Sequence, residues 1–168
     1  MVGKVVVLSI VILYIYIYTR PKRNIELLQT DITSFDPEHL FEKQPILIFS
    51  EIVDKKDFIQ VSFKYQYMFQ NETWVAQNTA VQNTSKFALL YNDTNDDMII
   101  RTNKRRTKAK YGKIYHYVFP EDYGIPETAI KIILKPHNIL VLPYLFEYTA
   151  SKDLKVNYMT DIFHTISP

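Results

Sequence analysis

A chain of 168 residues with 47% hydrophobic and 14% aromatic content has the length of one ordinary domain and enough apolar material for a packed core. It contains no cysteine, which excludes disulfides, cysteine-ligated zinc and thiol catalysis. Its three glycines, Gly3, Gly112 and Gly124, lie too far apart to build a phosphate-binding loop, which excludes nucleotide enzymes of the P-loop and Rossmann types.

The net charge of +2 hides an uneven distribution. Residues 1–23 carry Lys4, Arg20, Lys22 and Arg23 and no acid. The remainder holds 16 basic residues against 18 acidic ones. Seven of the 16 cluster at Arg101, Lys104, Arg105, Arg106, Lys108, Lys110 and Lys113. The chain therefore reads as an acidic body with one cationic strip and a cationic collar near its start.

Val2–Tyr18 is almost wholly apolar, with Lys4 its single charge. Seventeen residues at about 1.5 Å each cover roughly 25 Å, the short end of what crosses a bilayer. The stretch Val5, Val6, Val7, Leu8, Ile10, Val11, Ile12, Leu13, Tyr14, Ile15, Tyr16, Ile17 and Tyr18 forms the expected membrane anchor. Its ten Val, Ile and Leu residues contribute roughly −3 to −6 kcal/mol to insertion. The three tyrosines suit a headgroup region, Pro21 stops the helix, and Arg20, Lys22 and Arg23 suit phosphate. A cleaved signal peptide would require small residues before the cut, where bulky Tyr and Ile stand. A single strand would be shorter.

Two signals bear on orientation. Three positive charges after the span favour a body on the cytoplasmic side. The sequons Asn71-Glu72-Thr73, Asn83-Thr84-Ser85 and Asn92-Asp93-Thr94 would instead imply a lumen. Three sequons are a mild excess in an Asn- and Thr-rich stretch, so the charge rule takes precedence, and the lack of cysteine agrees with a reducing compartment.

Beyond a tether over Asn24–Ser34, Asp36-Pro37-Glu38 predicts a helix start closed by Pro45. Ile46–Phe49 reads as a buried strand, and Asp54 as the cap of a second short helix through Val61. Alternation at Phe63, Tyr65, Tyr67 and Phe69 predicts a strand there. Asn71–Ser85 is polar and reads as a long excursion or weak hairpin. Lys86–Tyr91 and Met98–Thr102 flank a turn-rich connector. Ile114–Phe119, Ala129–Lys135, Ile139–Tyr148, Leu154–Tyr158 and Ile162–Ile166 are strand-like, separated by Gly, Pro and Asn punctuation. About eight short strands with two minor helices indicate a small antiparallel barrel or jelly roll.

Two stretches carry a resemblance. Ile25–Thr30, followed by Phe41-Glu42-Lys43-Gln44-Pro45-Ile46-Leu47-Ile48-Phe49, resembles the start of JmjC/cupin-like domains. There a short helix leads into a strand of this kind. Ala129–Tyr148 resembles their closing hairpin, which runs through a turn and Ile139-Leu140-Val141-Leu142-Pro143 into aromatics. A hydrophobic anchor ahead of this pattern is similar to proteins of nucleocytoplasmic large DNA viruses, carried on the virion's internal membrane or beneath its capsid. The resemblance implies the scaffold and departs from it in chemistry. Active members hold iron with a His-x-Asp/Glu pair and a distant His. Here His39, His116, His137 and His164 each lack a carboxylate two residues on. Tyr144-Leu145-Phe146-Glu147 stands where the last metal histidine would fall.

Other constellations are weaker. His116 with Glu121 or Asp122 and His137 supplies metal-ligand types without a defining spacing. Asp93–Asp97 begins like a calcium loop, but Met98 stands where the loop needs glycine and Lys104 where it needs glutamate. The strip Arg101–Lys113 beside Tyr111, Tyr115 and Tyr117 could grip phosphates. A tether makes lipid headgroups or an acidic protein neighbour the better match.

The expectation is thus a mainly β protein in two parts. Residues 1–23 form a single N-terminal transmembrane helix with a basic collar, and residues 24–168 a jelly-roll or cupin-like domain on the cytoplasmic side. The expected role is a structural virion membrane protein of minor-capsid type, without catalysis, cofactor or small-molecule substrate. Its expected partners are a lipid bilayer and capsid or other virion proteins. A divergent Fe(II)/2-oxoglutarate-dependent oxygenase and a membrane-tethered nucleic-acid-binding protein are the alternatives.

Overall fold

In the computed structural model, residues 2–19, 25–50, 55–105, 108–109 and 115–166 are described. Val2–Thr19 forms one α-helix, α1. Strand β1 (Leu28–Asp31) then runs parallel to β2 (Ile46–Phe49), with Leu28 opposite Ile46. Between them Pro37–Glu42 is a 3-10 helix rather than an α-helix. Asp36 caps it as its sequence indicates, its Oδ1 accepting the Glu38 N–H at 2.9 Å. Lys43 ends it in the left-handed region at φ 55°.

Helix α2 (Lys55–Ser62) follows; the expected cap Asp54 lies outside the described residues. The strand expected over Phe63–Phe69 does not form. Phe63 N–H still bonds to Ile59 O at 3.0 Å, extending the helical pattern, and the Phe63 ring is fully buried against Phe35, Phe58 and Phe87. Burial of that ring stabilises by about 1.5–3 kcal/mol, and tertiary packing thus overrides the local alternation. Strand β3 (Phe69–Val75) begins where the alternation was expected to end and occupies part of the expected polar excursion. A strand with one edge in water tolerates that polarity.

The remaining strands are β4 (Val81–Asn83), β5 (Phe87–Tyr91), β6 (Met98–Lys104), β7 (His116–Val118), β8 (Ile130–Leu134), β9 (Ile139–Pro143), β10 (Phe146–Ala150) and β11 (Leu154–Thr160). The predicted run Ile139–Tyr148 is two strands in different sheets, turned at Tyr144 and Leu145, with Leu145 at φ 68°. Ile162–Ile166 is a helix, α3, rather than a strand. Asp161 Oδ1 accepts the His164 N–H at 3.0 Å, a cap that the apolar pattern does not reveal.

Two sheets form a β-sandwich. One is six-stranded and mixed, in the order β1-β2-β9-β5-β11-β3; the other is five-stranded and antiparallel, β7-β4-β10-β6-β8. Leu90, Leu140, Leu142 and Val156 of the first sheet meet Met98, Ile100, Leu134 and Phe146 of the second. Deep between them the Tyr148 and Tyr158 hydroxyls hydrogen-bond at 2.5 Å. Burial pushes both phenols well above their ordinary range. The outer face of the six-stranded sheet is covered in turn, where Ile46, Ile48, Leu89, Val141 and Met159 pack under Leu40, Phe58, Ile59 and Phe63. This double burial explains why β2, β5 and β9 read as unbroken apolar runs.

Two of the three sequons are structural. Asn83 and Asn92 are both fully buried. Asn83 Oδ1 accepts from Ser85 N–H at 3.0 Å, and Asn92 Oδ1 from Thr94 N–H at 3.0 Å, the same Asx turn in both. Asn83 Nδ2 also donates to Leu142 O and Pro143 O, each at 2.9 Å. Replacing Asn83 with Ala orphans these buried groups. Asn83→Ala should cost about 2–3 kcal/mol in urea unfolding, with the slope of the transition unchanged.

Candidate functional site

Helix α1 displays its apolar side chains to the outside. Val5, Val6, Val7, Leu8, Ile10, Val11, Ile12, Leu13, Tyr14 and Tyr16 are all exposed, and Ile15 is half-buried. Among the described residues, so many adjacent exposed apolar side chains on one helix form a patch larger than an ordinary soluble surface carries. Among the described residues no helix is long and apolar enough to cross a membrane. The side chains described in α1 are those of 5–16, about 18 Å of helix rise. Ile17 and Tyr18 belong to the helix backbone, and the collar Arg20, Lys22 and Arg23 lies outside the described residues. Helix α1 meets the sandwich at α3, where Ile162 is itself half exposed.

The cationic strip is divided by the fold. Arg106, Lys110 and Lys113 lie outside the described residues. Strand alternation sends Arg101 to the open outer face of the five-stranded sheet and Lys104 toward its inner side. Arg101 stands directly opposite Lys131 on β8, and the two line a shallow cleft with Glu127 and Ala129. Lys108 is half-buried, and loss of water pulls its ammonium below the ordinary value. Of the tyrosines expected beside the strip, Tyr115 packs on the inter-sheet core and Tyr117 sits edge-on to Phe119. Tyr111 is outside the described residues.

Arg105 is committed internally. Its guanidinium lies 5.0 Å from the Phe119 ring centre and 5.8 Å from that of Tyr123, two rings stacked 3.9 Å apart. Arg105 Nη1 donates to Tyr123 Oη at 3.1 Å and lies 3.8 Å from Glu147 Oε2. Glu147 is only 2% exposed although it points away from the sandwich core. Tyr123 Oη donates to its Oε2 at 2.7 Å, and Asn103 Nδ2 to its Oε1 at 3.1 Å. Burial, then the bond to Glu147, pushes the Tyr123 phenol up. Beside it, Gln82 Oε1 accepts the Ala109 N–H at 2.6 Å, which draws the strip back over the sheet. A buried carboxylate held by one cation and two neutral donors is a structural lock for the loops on both sides. Its trace in the sequence is Glu147 standing inside an aromatic strand.

A second buried network ties α3 to the sandwich. Asp161 Oδ1 meets His164 Nδ1 at 2.8 Å, and Asp161 Oδ2 lies 3.6 Å from Lys86 Nζ. Lys86 also donates to Gln66 Oε1 at 3.3 Å, and the Tyr144 ring stands edge-on to His164. Burial alone would push the Asp161 carboxyl up. The His164 hydrogen bonds, with the charges of His164 and Lys86, outweigh burial and hold it well below the usual carboxylate range. Burial pulls the Lys86 ammonium down, against the attraction of Asp161.

The suspected metal ligands are dispersed. His116 on β7 stacks on Tyr158 at 4.7 Å. Glu121 and Asp122 are exposed in a turn, and His137 occupies the separate turn between β8 and β9 at φ 66°. Among the described residues no three His, Asp or Glu side chains gather where they could hold a metal. Asp93–Asp97 is organised instead by Asn92, whose Nδ2 donates to Asp96 O at 2.9 Å. Comparison of the chain with protein-family models and with curated proteins found no match.

The two arginines separate a lock from a surface charge. Arg105→Ala should lower stability by about 1–3 kcal/mol, whereas exposed Arg101→Ala should stay within about 0.5 kcal/mol, both read by urea denaturation. The Asp161 pair carries a pH signature. Its folded carboxyl lies below its unfolded value of about 3.9, so the stability it adds is present above that pH and lost as pH falls through the folded value. The wild-type urea midpoint should therefore drop as pH is lowered from about 4 toward 2, and Asp161→Asn should show a lower neutral midpoint with a flatter acid limb.

Proposed function

We propose that this protein is a membrane-anchored structural protein, which uses α1 to hold a jelly-roll domain beside a bilayer and presents that domain to a protein shell. The exposed apolar circumference of α1 carries the reading. At 18 residues and about 27 Å, the helix reaches nearly across a hydrocarbon core, and tilt-free insertion with slight local thinning accommodates the rest. The collar Arg20, Lys22 and Arg23 and the chain's lack of cysteine favour a cytoplasm-facing domain. Burial of Asn83 and Asn92 removes two of the three sequons as arguments for a lumen.

The jelly-roll assignment is supported by strand order. Order β3-β11-β5-β9 opposes β4-β10-β6-β8, with β1, β2 and β7 added at the edges. Successive strands change sheet from β3 to β6, β6 and β8 share one, and strands alternate again from β9 to β11. Two interleaved Greek keys produce this pattern in eight-stranded jelly rolls and cupins. The likeness of Ile25–Tyr148 to cupin-like domains of large DNA viruses, without their iron motif, fits a domain used for its shape. The virion shell as partner rests on that likeness. Contact with lipid or an acidic neighbour falls to cations outside the Glu147 lock, exposed Arg101 among them.

The anchor is tested by expressing the full chain and washing membranes with alkaline carbonate. Wild type should stay in the pellet and float with lipid. Ile10→Lys with Leu13→Lys, which makes insertion less favourable by roughly 6–7 kcal/mol, should release the protein. A wild-type chain extracted by carbonate would end the reading. The shell role is read from detergent-stripped virions of the source, where the protein should remain with the capsid when lipid is removed.

A further inference from the structure

Strand β3 closes one edge of the six-stranded sheet, and among the described residues no strand lies outside it. Natural edge strands are blunted by brevity, proline, bulges or a projecting lysine. β3 has seven residues, no proline or glycine, and Glu72 as its one charge. That charge is matched from behind, since Lys155 Nζ on β11 lies 2.8 Å from Glu72 Oε1. The edge therefore offers unpaired backbone groups with no net charge to repel a partner.

Apolar exposure concentrates at the same place. Among the described residues outside α1, five of the ten large hydrophobic residues that are exposed fall in 61–74: Val61, Tyr65, Met68, Phe69 and Trp74. Trp74 is 65% exposed and Met68 62%; Met68 immediately precedes the strand and Trp74 is its penultimate residue. Trp74, Glu72, Gln70 and Met68 occupy alternate positions and share one face.

We propose that β3 pairs antiparallel with β3 of a second copy of this chain, joining two six-stranded sheets edge to edge. The strand is self-complementary about Asn71. A two-fold axis there sets Trp74 opposite Met68 of the second copy, Phe69 opposite Thr73, and Gln70 opposite Glu72. Large apolar groups cover one another at both ends, and the two Glu72 carboxylates stay apart. A strand with apolar residues at this spacing in reverse order is what a second copy supplies. The anchoring argued above would add to the effect by confining copies to one plane, but the pairing itself stands on the edge.

The chain has no cysteine, so single thiols report the contact cleanly. Directly opposite residues of an antiparallel pair have Cα atoms about 4.5–5.5 Å apart, within disulfide reach. In full-length protein in detergent micelles, mild oxidation should convert Asn71→Cys to a covalent dimer, while exposed Thr128→Cys remains monomeric. Light scattering on the cysteine-free chain should show a dimer. Gln70→Lys with Trp74→Lys, two exposed changes, should weaken it by about tenfold or more while the urea midpoint stays near wild type. A monomeric wild type, or Asn71→Cys that crosslinks no faster than Thr128→Cys, overturns the proposal in favour of a different strand partner or none. A dimer that survives the double lysine variant overturns it in favour of association through α1. Carbonate extraction reads the anchor separately, so failure of one reading leaves the other standing.

Discussion

The sandwich depends on one buried side chain at the corner where the chain passes between sheets. Asn83 Nδ2 holds the carbonyls of Leu142 and Pro143 at the end of β9, and Asn83 O accepts the Leu145 N–H at 2.9 Å. Leu145 can therefore sit at φ 68°, a conformation that a bulky residue adopts only when its surroundings demand it. Leu145 O in turn accepts the Arg105 N–H at 3.0 Å. The corner thus sets where Arg105 begins, and so where its guanidinium can reach Glu147.

Two polar networks hold further segments in place. Glu147 with Arg105, Tyr123 and Asn103 fastens loops to the outer face of the five-stranded sheet. Asp161 with His164 and Lys86 fastens α3, the element against which α1 comes to rest. Each holds a buried carboxylate, whose worth lies less in net stability than in the cost of removing its partners.

Much of the architecture was legible because it follows local rules. Asp36-Pro37 begins a helical turn through a cap and a fixed φ, both local effects. Ile46–Phe49 and Ile139–Pro143 read as strands because burial on two faces removes polar alternation. Phe63 and Ile162–Ile166 misled for the converse reason. The first is claimed by an aromatic cluster assembled from distant elements, and the second by a cap whose partner becomes visible only once Asp161 is placed. Most of strand β3 lies in the stretch that reads as a polar excursion or weak hairpin, since a half-solvated edge accepts the Gln, Asn and Thr that would disqualify an interior strand.

The sequence by itself determined the apolar character of α1, the mainly β class, the acidic body and the absence of thiol chemistry, because each is a property of composition or of neighbours in the chain. Only the tertiary structure decided what the polar residues do. Seven cations close together in sequence look like one patch, yet strand alternation and a buried carboxylate send Arg101, Lys104 and Arg105 to different tasks. Three Asn-x-Ser/Thr triplets look alike, yet two have fully buried asparagines that organise turns and the third lies on an edge strand. Charge and hydrogen-bonding capacity are written in the residue, but whether water, another side chain or a partner satisfies them depends on which distant segments fold against it.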